Sequence, residues 1–339
     1  MGWNQAMIDN PVPGESGCTY FSDTSTTGAY SVGTFTAPKR GVYQFQLRGS
    51  GGENGASSGG QGGSTDGYLI LDKGQTVYVG AGGPCSAAFV SSAYGSSLAN
   101  VNSGNLYFVA GGGGAGGNYS NVHVPVSTAG GKGGGASGSN GGNYDPYGNG
   151  LVLKGGGGGT QSGGGAAGAP TTGSGQNGTA GTAGSYGKGG AGASKSANGG
   201  WGYGGRGGDG YYGGGGGCCN ATHNSGTGER TGWGMGGGGG SGFISVGSVT
   251  AGNQTYTASS WQGGLGAGTN GYVIVYYYAT LDIPVIFNGT QLEKIIFNGV
   301  EIESLIYNGT KLFIERVKTL FKEVNLKCKL GNCKLLTVL

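Results

Sequence analysis

The residues best suited to hold a metal ion lie together in one short stretch of the sequence. Cys218 and Cys219 are adjacent, and His223 follows shortly after. Zinc sites usually space their cysteines about two to four residues apart, because adjacent side chains cannot easily reach the same ion. The spacing therefore favours buried thiols, or a disulfide from this pair to Cys85 or Cys18, over a metal site. We expect no metal and no cofactor.

A catalytic site is equally hard to assemble from this sequence. A serine or cysteine nucleophile needs a nearby base, and the chain contains only two histidines, His123 and His223. Matches to Gly-x-Gly-x-x-Gly are frequent because glycine accounts for 89 of 339 residues. None of them follows a strand and opens a helix, and no Gly-x-x-x-x-Gly-Lys-Ser/Thr loop occurs. We therefore expect a protein that is not an enzyme and has no nucleotide site.

Aromatic residues between glycine clusters are the side chains best suited to bind another molecule. A flat, rigid ring with a polar edge offers contact area to a glycan or a protein at a low cost in conformational entropy. Some of these rings would instead pack on glycine backbone. The candidate receptor-binding residues are Tyr119, Tyr144, Tyr147, Trp201, Tyr203, Tyr211 and Tyr212.

The elements that must position these aromatic residues are β-strands on both sides of a glycine-rich region. Strand patterns recur from Tyr20 to Val109 and return only at Gly242 and Gly271. No amphipathic helix intervenes, which favours an antiparallel sandwich or jelly roll over a parallel sheet. Because strands lie before and after it, the region 111–240 is predicted to be an insertion within one domain, residues 20–280.

The glycine content itself would ordinarily indicate disorder. Charged residues are only 10% of the chain and aromatic residues also reach 10%, which is not typical of disordered segments. Collagen needs glycine at every third position, and runs such as Gly236 to Gly240 break that rule. An extended helix with three residues per turn suits these runs, because its amides and carbonyls point outward and several such helices can satisfy one another.

The composition changes again after residue 280. Asn288-Gly289, Asn298-Gly299 and Asn308-Gly309 each separate two apolar runs, which is a strong signal for a two-residue hairpin turn. Residues 281–314 are therefore predicted to form a small β-meander. Apolar residues at helical spacing and a basic tail follow in 315–339, where a short helix is predicted.

The N-terminal segment and the charge balance restrict the partners. Residues 1–19 have neither a basic start nor an apolar run, which argues against a signal peptide, and no apolar stretch is long enough to cross a bilayer. Residues 1–314 contain 12 basic and 13 acidic residues, a net charge of −1. We expect neither nucleic-acid binding nor membrane insertion.

Several motifs in a fixed order resemble a known family. The runs Ala37 to Tyr43, Gly59 to Gly63, Val109 to Gly114, Gly236 to Phe243 and Gly271 to Ile274 are similar to the glycine-rich domain of anaplastic lymphoma kinase and leukocyte tyrosine kinase receptors, which also occurs in bacterial and phage proteins. The resemblance covers roughly residues 20–280. It implies an all-β fold, a jelly-roll-like β-sandwich with an inserted bundle of polyglycine-II helices. The absence of a kinase and of a membrane span argues against a receptor.

Two further resemblances suggest a function. The Phe-Asn-Gly-Thr repeats look like those of minor structural proteins from phages of Gram-positive gut bacteria, and polyglycine bundles are similar to those of T-even-type tail-fibre adhesins, whose tip loops bind host receptors. They imply a tail protein of the virion, assembled in the host cytoplasm and acting outside the cell. Its partners would be a bacterial surface glycan or protein and other tail proteins, and the Asn-Gly repeats would pack, form a homotrimer or dock to the tail. A purely structural tail or coat spacer and a bacterial surface matrix protein remain as alternatives.

Overall fold

The computed structural model describes residues 26, 28–145, 152–171 and 178–280, apart from the side chains of Val124 and Thr280, together with the backbone of short strands outside these ranges. The chain divides into two compact units, Met1–Thr280 and Leu281–Leu339. Throughout the described part the regular elements are strands and two 3-10 turns, Leu98–Asn100 and Ser103–Asn105. The predicted all-β class is confirmed. None of the described residues belongs to a helix with the length and apolar character needed to cross a membrane.

The strands are numbered in chain order. They are β1 (Gly2–Trp3), β2 (Ser16–Phe21), β3 (Tyr30–Thr36), β4 (Gly41–Arg48), β5 (Gly62–Leu71), β6 (Thr76–Gly82), β7 (Ala88–Ser91), β8 (Leu106–Ala110), β9 (Asn118–Ser120), β10 (Val124–Ser127), β11 (Ser194–Ala197), β12 (Gly200–Tyr203), β13 (Cys219–His223), β14 (Arg230–Gly234), β15 (Phe243–Ile244), β16 (Ser248–Ala251), β17 (Gln254–Thr257), β18 (Ser259–Leu265), β19 (Tyr272–Thr280), β20 (Val285–Phe287), β21 (Thr290–Leu292), β22 (Ile295–Phe297), β23 (Val300–Ile302), β24 (Leu305–Tyr307), β25 (Thr310–Leu312), β26 (Val324–Leu326) and β27 (Leu336–Val338).

Two antiparallel sheets supply the main apolar core of the first unit. One has the order β1-β2-β19-β4-β5-β18 and the other β15-β8-β7-β6-β3. Alternate residues of β4 are fully buried, including Phe45, and they share one cluster with Val79 of the other sheet and Phe108. Burying each such side chain contributes roughly 1.5–3 kcal/mol. The arrangement is consistent with the predicted sandwich.

The glycine-rich region leaves the sandwich and returns to it at one place. β15 pairs with β8 in antiparallel register, Val109 facing Phe243. The chain therefore leaves the five-stranded sheet after Ala110 and re-enters the sheet beside the same strand. Everything between these points projects from one end of the sandwich, where it contacts Tyr30 of the opposite edge strand β3 as well.

Twelve extended glycine-rich segments, most of them in the region between β8 and β15, lie side by side in a bundle. Few of them contain regular strand, and their backbone amides donate mainly to neighbouring segments. They are 49–55, 57–63, 111–117, 128–134, 138–144, 153–160, 163–169, 179–185, 187–193, 204–210, 211–218 and 235–242. The first two come from the connection between β4 and β5, so the bundle includes residues that precede the predicted insertion.

Backbone hydrogen bonds between these segments recur at every third residue. The amides of Gly205, Gly208 and Tyr211 donate in turn to Met235, Gly238 and Ser241, at 2.7, 2.8 and 2.9 Å. This period is the one expected of helices with three residues per turn, whose three faces point to different neighbours. It supports the predicted polyglycine-II helices, although the helix type itself stays an interpretation.

Segment 235–242 lies in the interior of the bundle. Its amides donate to segments 111–117, 138–144 and 211–218, and its carbonyls accept from segments 128–134, 153–160 and 204–210. It thus has three donor and three acceptor neighbours, or six in total. Segment 211–218 is surrounded in the same way by 153–160, 163–169, 179–185, 187–193, 204–210 and 235–242.

The long glycine runs follow from this packing. A Cβ on any residue from Gly236 to Gly240 would overlap a carbonyl oxygen of an adjacent segment. In the outer segments, side chains are accepted where the backbone faces solvent, as at Ala166 and Ala191. Uninterrupted glycine therefore marks segments that have neighbours on all sides.

The second unit contains the predicted Asn-Gly hairpins. β20 pairs with β21, β22 with β23 and β24 with β25, and Phe287 faces Thr290 across a two-residue connection. Each pair is a separate two-stranded sheet. Among the described strands, the predicted meander is therefore present only as individual hairpins. The reason is that each Asn-Gly turn specifies only the pairing of the two runs beside it. The turn residues, and residues 315–323 of the predicted helix, lie outside the described residues. Its last predicted residue, Val324, begins the strand β26, so the helical prediction is wrong at that position.

Candidate functional site

The bundle has two ends with different kinds of connection. Its segments run alternately toward and away from the sandwich, and the connections next to the sandwich are short, as at 135–137 and 161–162. The connections at the far end are longer, except for Ala56 between segments 49–55 and 57–63, and three of them contain strands. We call residues 118–127, 194–203 and 219–234 the tip. At about 3.1 Å per residue, a seven-residue segment places the tip about 22 Å from the sandwich end.

Two small sheets form the tip. One has the order β10-β14-β13, and the other β11-β12-β9. A Cβ on Gly202 of β12 would overlap the carbonyl oxygen of Asn220 and lie 2.7 Å from that of Trp233. Glycine at this position lets the backbone of β12 rest directly on the second sheet. At Gly202 the two sheets therefore meet backbone to backbone.

The structure divides the seven predicted binding residues among different places. Tyr119, Trp201 and Tyr203 belong to the β11-β12-β9 sheet of the tip. Trp201 and Tyr203 share one face, whereas Tyr119 is paired with Gly202 and therefore lies on the other face. Tyr144 is half-buried and packs edge-on against Trp233, with ring centroids 6.0 Å apart.

Tyr211 and Tyr212 lie at the opposite end of the bundle. The ring of Tyr211 stacks on Phe243 at the start of β15, with centroids 4.1 Å apart, and contacts Tyr212 edge-on. These two rings join the bundle to the sandwich, so they are not part of one surface with the tip. Tyr147 lies outside the described residues.

The two aromatic rings of β12 are parallel. Trp201 and Tyr203 project from the same face of the strand, and their rings are 5.8 Å apart with an angle of 4° between the planes. Trp201 is 38% exposed, one of the most exposed large apolar side chains in the described region.

The charged groups of the tip lie under this face or beside it. Lys195 belongs to the opposite face of β11, where its Nζ donates to Oδ1 of the buried Asn220 at 3.1 Å. Burial lowers the pKa of Lys195 from its usual value. His223 shares a hydrogen bond of 3.0 Å with the Asn198 amide.

The cysteines of the described region are reduced and buried. Cys85, Cys218 and Cys219 form no disulfide, which rules out the anticipated bridge from the adjacent pair to Cys85. The carbonyl oxygen of Cys85 accepts a hydrogen bond from the amide of Asp209 at the sandwich end, whereas Cys218 packs in one cluster with Trp233 at the tip. A disulfide needs Cα atoms within about 7 Å. The side chain of Cys18 is not described, and no group of three potential metal ligands occurs among the residues that are.

These three thiols are expected to resist alkylation in the folded protein. Burial raises the pKa of Cys85 and Cys219 to about 11 and that of Cys218 to about 12. Because the thiolate is the reacting form, a rise of two pKa units alone lowers reactivity at pH 8 roughly 100-fold. Maleimide labelling followed by peptide mass spectrometry should find them unmodified in the native protein and modified in guanidinium. Rapid native labelling of Cys218 would contradict the packing.

A buried polar cluster that sequence reasoning missed joins the bundle to the sandwich. Asp209 is buried and accepts hydrogen bonds from Arg206 at 2.5 Å, from the Tyr30 hydroxyl at 3.0 Å and from the Gly189 amide at 2.8 Å. Burial raises the pKa of Asp209, and the guanidinium opposes that rise. We call Tyr30, Arg206 and Asp209 the junction cluster. The spacing of three between Arg206 and Asp209 was an available signal, because a helix with three residues per turn places both on one face.

In comparisons with known proteins, no family model matches the chain and no curated protein matches it. The candidate site therefore depends on its geometry: an exposed, paired aromatic surface at the end of a glycine bundle.

Proposed function

We propose that this chain is a receptor-binding protein of a phage tail that contacts the bacterial surface through the tip. The observation that carries the proposal is that the connections at the two ends of the bundle differ in length and structure. The connections next to the sandwich are short, whereas three long connections with strands lie at the far end, and one of these carries Trp201 and Tyr203. A stiff support that displays variable loops is a common way to build a recognition surface.

The stiffness would come from the bundle, which we interpret as polyglycine-II helices. Hydrogen bonds at every third residue support this interpretation, and so does the absence of positive φ angles in the interior segments 211–218 and 235–242. Each interior segment is bonded to six neighbours, so bending one segment would break bonds to several others. An apolar core is not needed where backbone groups satisfy one another.

The rest of the chain would attach the support to the virion. In this proposal the sandwich and the Asn-Gly hairpins contact other tail proteins or form a homotrimer, and the particle is assembled in the host cytoplasm. The resemblance to phage structural proteins supports this placement. Binding, without catalysis, is the activity proposed for the tip.

Blocking the tip with a polymer tests the proposal without altering the fold. Ser225 is exposed in the β13–β14 connection, and Ser248 is exposed at the start of β16 on the sandwich. Each would be changed to cysteine in a Cys18→Ser/Cys328→Ser/Cys333→Ser background and coupled to polyethylene glycol maleimide. We expect the Ser225→Cys conjugate to lose at least 10-fold in binding to host cells, and the Ser248→Cys conjugate to bind like the unconjugated protein.

The competing function is that of a purely structural spacer. It is favoured by the hydrogen bonds that join the interior segments of the bundle to neighbours on all sides. It predicts that the protein alone does not bind cells, and that conjugation at Ser225→Cys leaves adsorption of the phage unchanged. Either result would exclude the receptor-binding proposal. A bacterial surface matrix protein would be distinguished by a gene that does not lie beside tail genes.

A further inference from the structure

We propose that the exposed face of the β11-β12-β9 sheet is a binding site for a neutral glycan. This proposal rests on the receptor-binding function and names the chemical class of the receptor. We call the face the platform. It is defined by Trp201 and Tyr203 and by their four cross-strand neighbours, Asn118, Ser120, Ser194 and Ser196.

The rings of the platform suit the apolar face of a sugar. Pyranose rings carry C–H groups on their faces, and a flat aromatic surface removes these groups from water without leaving a buried polar atom unpaired. Trp201 and Tyr203 offer two parallel rings 5.8 Å apart. Because the two rings stack on each other, a sugar unit would contact the outer face of Trp201, whose side chain is 38% exposed.

The residues beside the rings suit the hydroxyl groups of a sugar. Ser196 and Ser120 face Trp201 from the two neighbouring strands, and Ser194 and Asn118 face Tyr203. Because directly opposed residues of antiparallel strands project to the same side, all four surround the rings. Each of the four is exposed. Serine hydroxyls and an asparagine amide both donate and accept, as hydroxyl-rich ligands require.

The platform has no charge of its own. The charged residue of its three strands, Lys195, lies on the other face and is engaged with Asn220. A phosphorylated or uronic acid polymer would find no basic partner here, and recognition of anions relies on such partners. The charge pattern therefore selects a neutral glycan over anionic wall polymers and nucleic acids.

The platform is also held rigidly from behind. Gly200 and Gly202 alternate with the two aromatic residues; a Cβ on Gly202 would overlap the carbonyl oxygen of Asn220, and one on Gly200 would lie in tight contact with Arg230, 3.2 Å from its Cβ. The rings therefore stand on a strand that cannot easily move. Because the rings are ordered before binding, less conformational entropy is lost when a ligand binds.

A protein receptor is the less favoured occupant. Tight protein interfaces depend on aromatic anchors that fill desolvated pockets, whereas the rings of this platform project from a flat, polar-edged sheet. We treat protein binding as an outcome of the test.

The test uses the full chain and immobilised probes. Neutral probes are chitohexaose, cellohexaose, mannan, galactan and dextran, and anionic probes are hyaluronan and a wall teichoic acid. We expect wild type to bind at least one neutral probe and neither anionic probe. Trp201→Ala should weaken that binding at least 10-fold, and Trp201→Phe should retain most of it. Trp261→Ala is the matched control, because Trp261 is 41% exposed but lies on β18 of the sandwich.

The outcomes separate this proposal from the receptor-binding function. Failure to bind any neutral probe, or binding that survives Trp201→Ala, overturns the neutral-glycan site. If cell binding is lost after protease treatment of the cells and kept after periodate oxidation of their glycans, the receptor is a protein, and only the glycan proposal fails. If the protein does not bind cells at all, the receptor-binding function fails as well.

Discussion

Replacing Gly238 by alanine is expected to disrupt the bundle although it adds only one methyl group. Gly238 lies in the middle of segment 235–242, and a Cβ there would overlap the carbonyl oxygen of Gly157 and lie 2.5 Å from its carbonyl carbon. Both atoms belong to backbone that is itself bonded to other segments, so neither can move without breaking further hydrogen bonds. Added methyl groups in well-packed cores usually cost about 1–3 kcal/mol. For Gly238→Ala we expect a loss of stability at the upper end of this range or above it, with a fall in Tm of roughly 10 °C.

Gly163→Ala is the matched control. Gly163 belongs to the same bundle but begins a segment at the short connection, and a Cβ there would meet no atom within 4 Å. Its φ is not positive, so alanine is tolerated and should change the free energy of unfolding by less than about 0.5 kcal/mol. Thermal unfolding followed by circular dichroism compares the two variants. Equal Tm values for both would show that segment 235–242 is not packed as described.

The difference between these two glycines shows what the sequence pattern could and could not predict. Uninterrupted runs such as Gly213 to Gly217 indicated segments that must approach one another closely, and both surrounded segments contain such runs. The neighbours of each run could not be predicted, because glycine carries no side chain to specify a partner. Segments 49–55 and 57–63 were missed for this reason. Their mixed composition resembles an ordinary loop, and only their bonds to segment 111–117 and its neighbours place them in the bundle.

The strands of the sandwich were easier to predict than the surface. Alternation in β4 reflects the burial of every second side chain between two sheets, a local property that the sequence carries directly. To predict which aromatic residues share a surface, one must also know the direction in which each bundle segment runs. Tyr203 ends a tip strand and Tyr211 follows only eight residues later in the chain, yet segment 204–210 carries the chain back to the sandwich between them. Sequence proximity therefore does not show which aromatic residues share a surface.

The second large effect is expected at the junction cluster, where Asp209→Asn should destabilise the first unit by about 3–5 kcal/mol. The carboxylate accepts hydrogen bonds from Arg206, Tyr30 and Gly189, and its side chain is only 3% exposed. Asparagine keeps the size of the side chain but removes the negative charge, which leaves the guanidinium partly buried without its counter-ion. Removing one charge of a buried ion pair has this cost because the charge that remains is neither paired nor solvated. Chemical denaturation at pH 7 measures the change.

Two further variants distinguish the loss of a buried pair from the loss of any ion pair. Asp72 pairs with Arg40 at 3.0 Å, but its side chain is 67% exposed, so Asp72→Asn should cost no more than about 1 kcal/mol. Combining Arg206→Met with Asp209→Asn removes both charges, and the double variant should be more stable than Asp209→Asn alone. If the two substitutions were instead additive, the two charged side chains would not be energetically coupled.

The junction cluster matters for the proposed function because it connects the bundle to its support. Tyr30 belongs to β3 of the sandwich, whereas Arg206 and Asp209 belong to the bundle. Elsewhere the bundle is joined to itself by uncharged backbone groups, which match any glycine segment equally well. A buried carboxylate with a hydrogen-bond partner in the sandwich favours one register, since a shift of segment 204–210 by one residue would take Asp209 away from the Tyr30 hydroxyl. Asp209→Asn should therefore reduce cell binding together with stability, whereas Trp201→Ala should reduce binding alone.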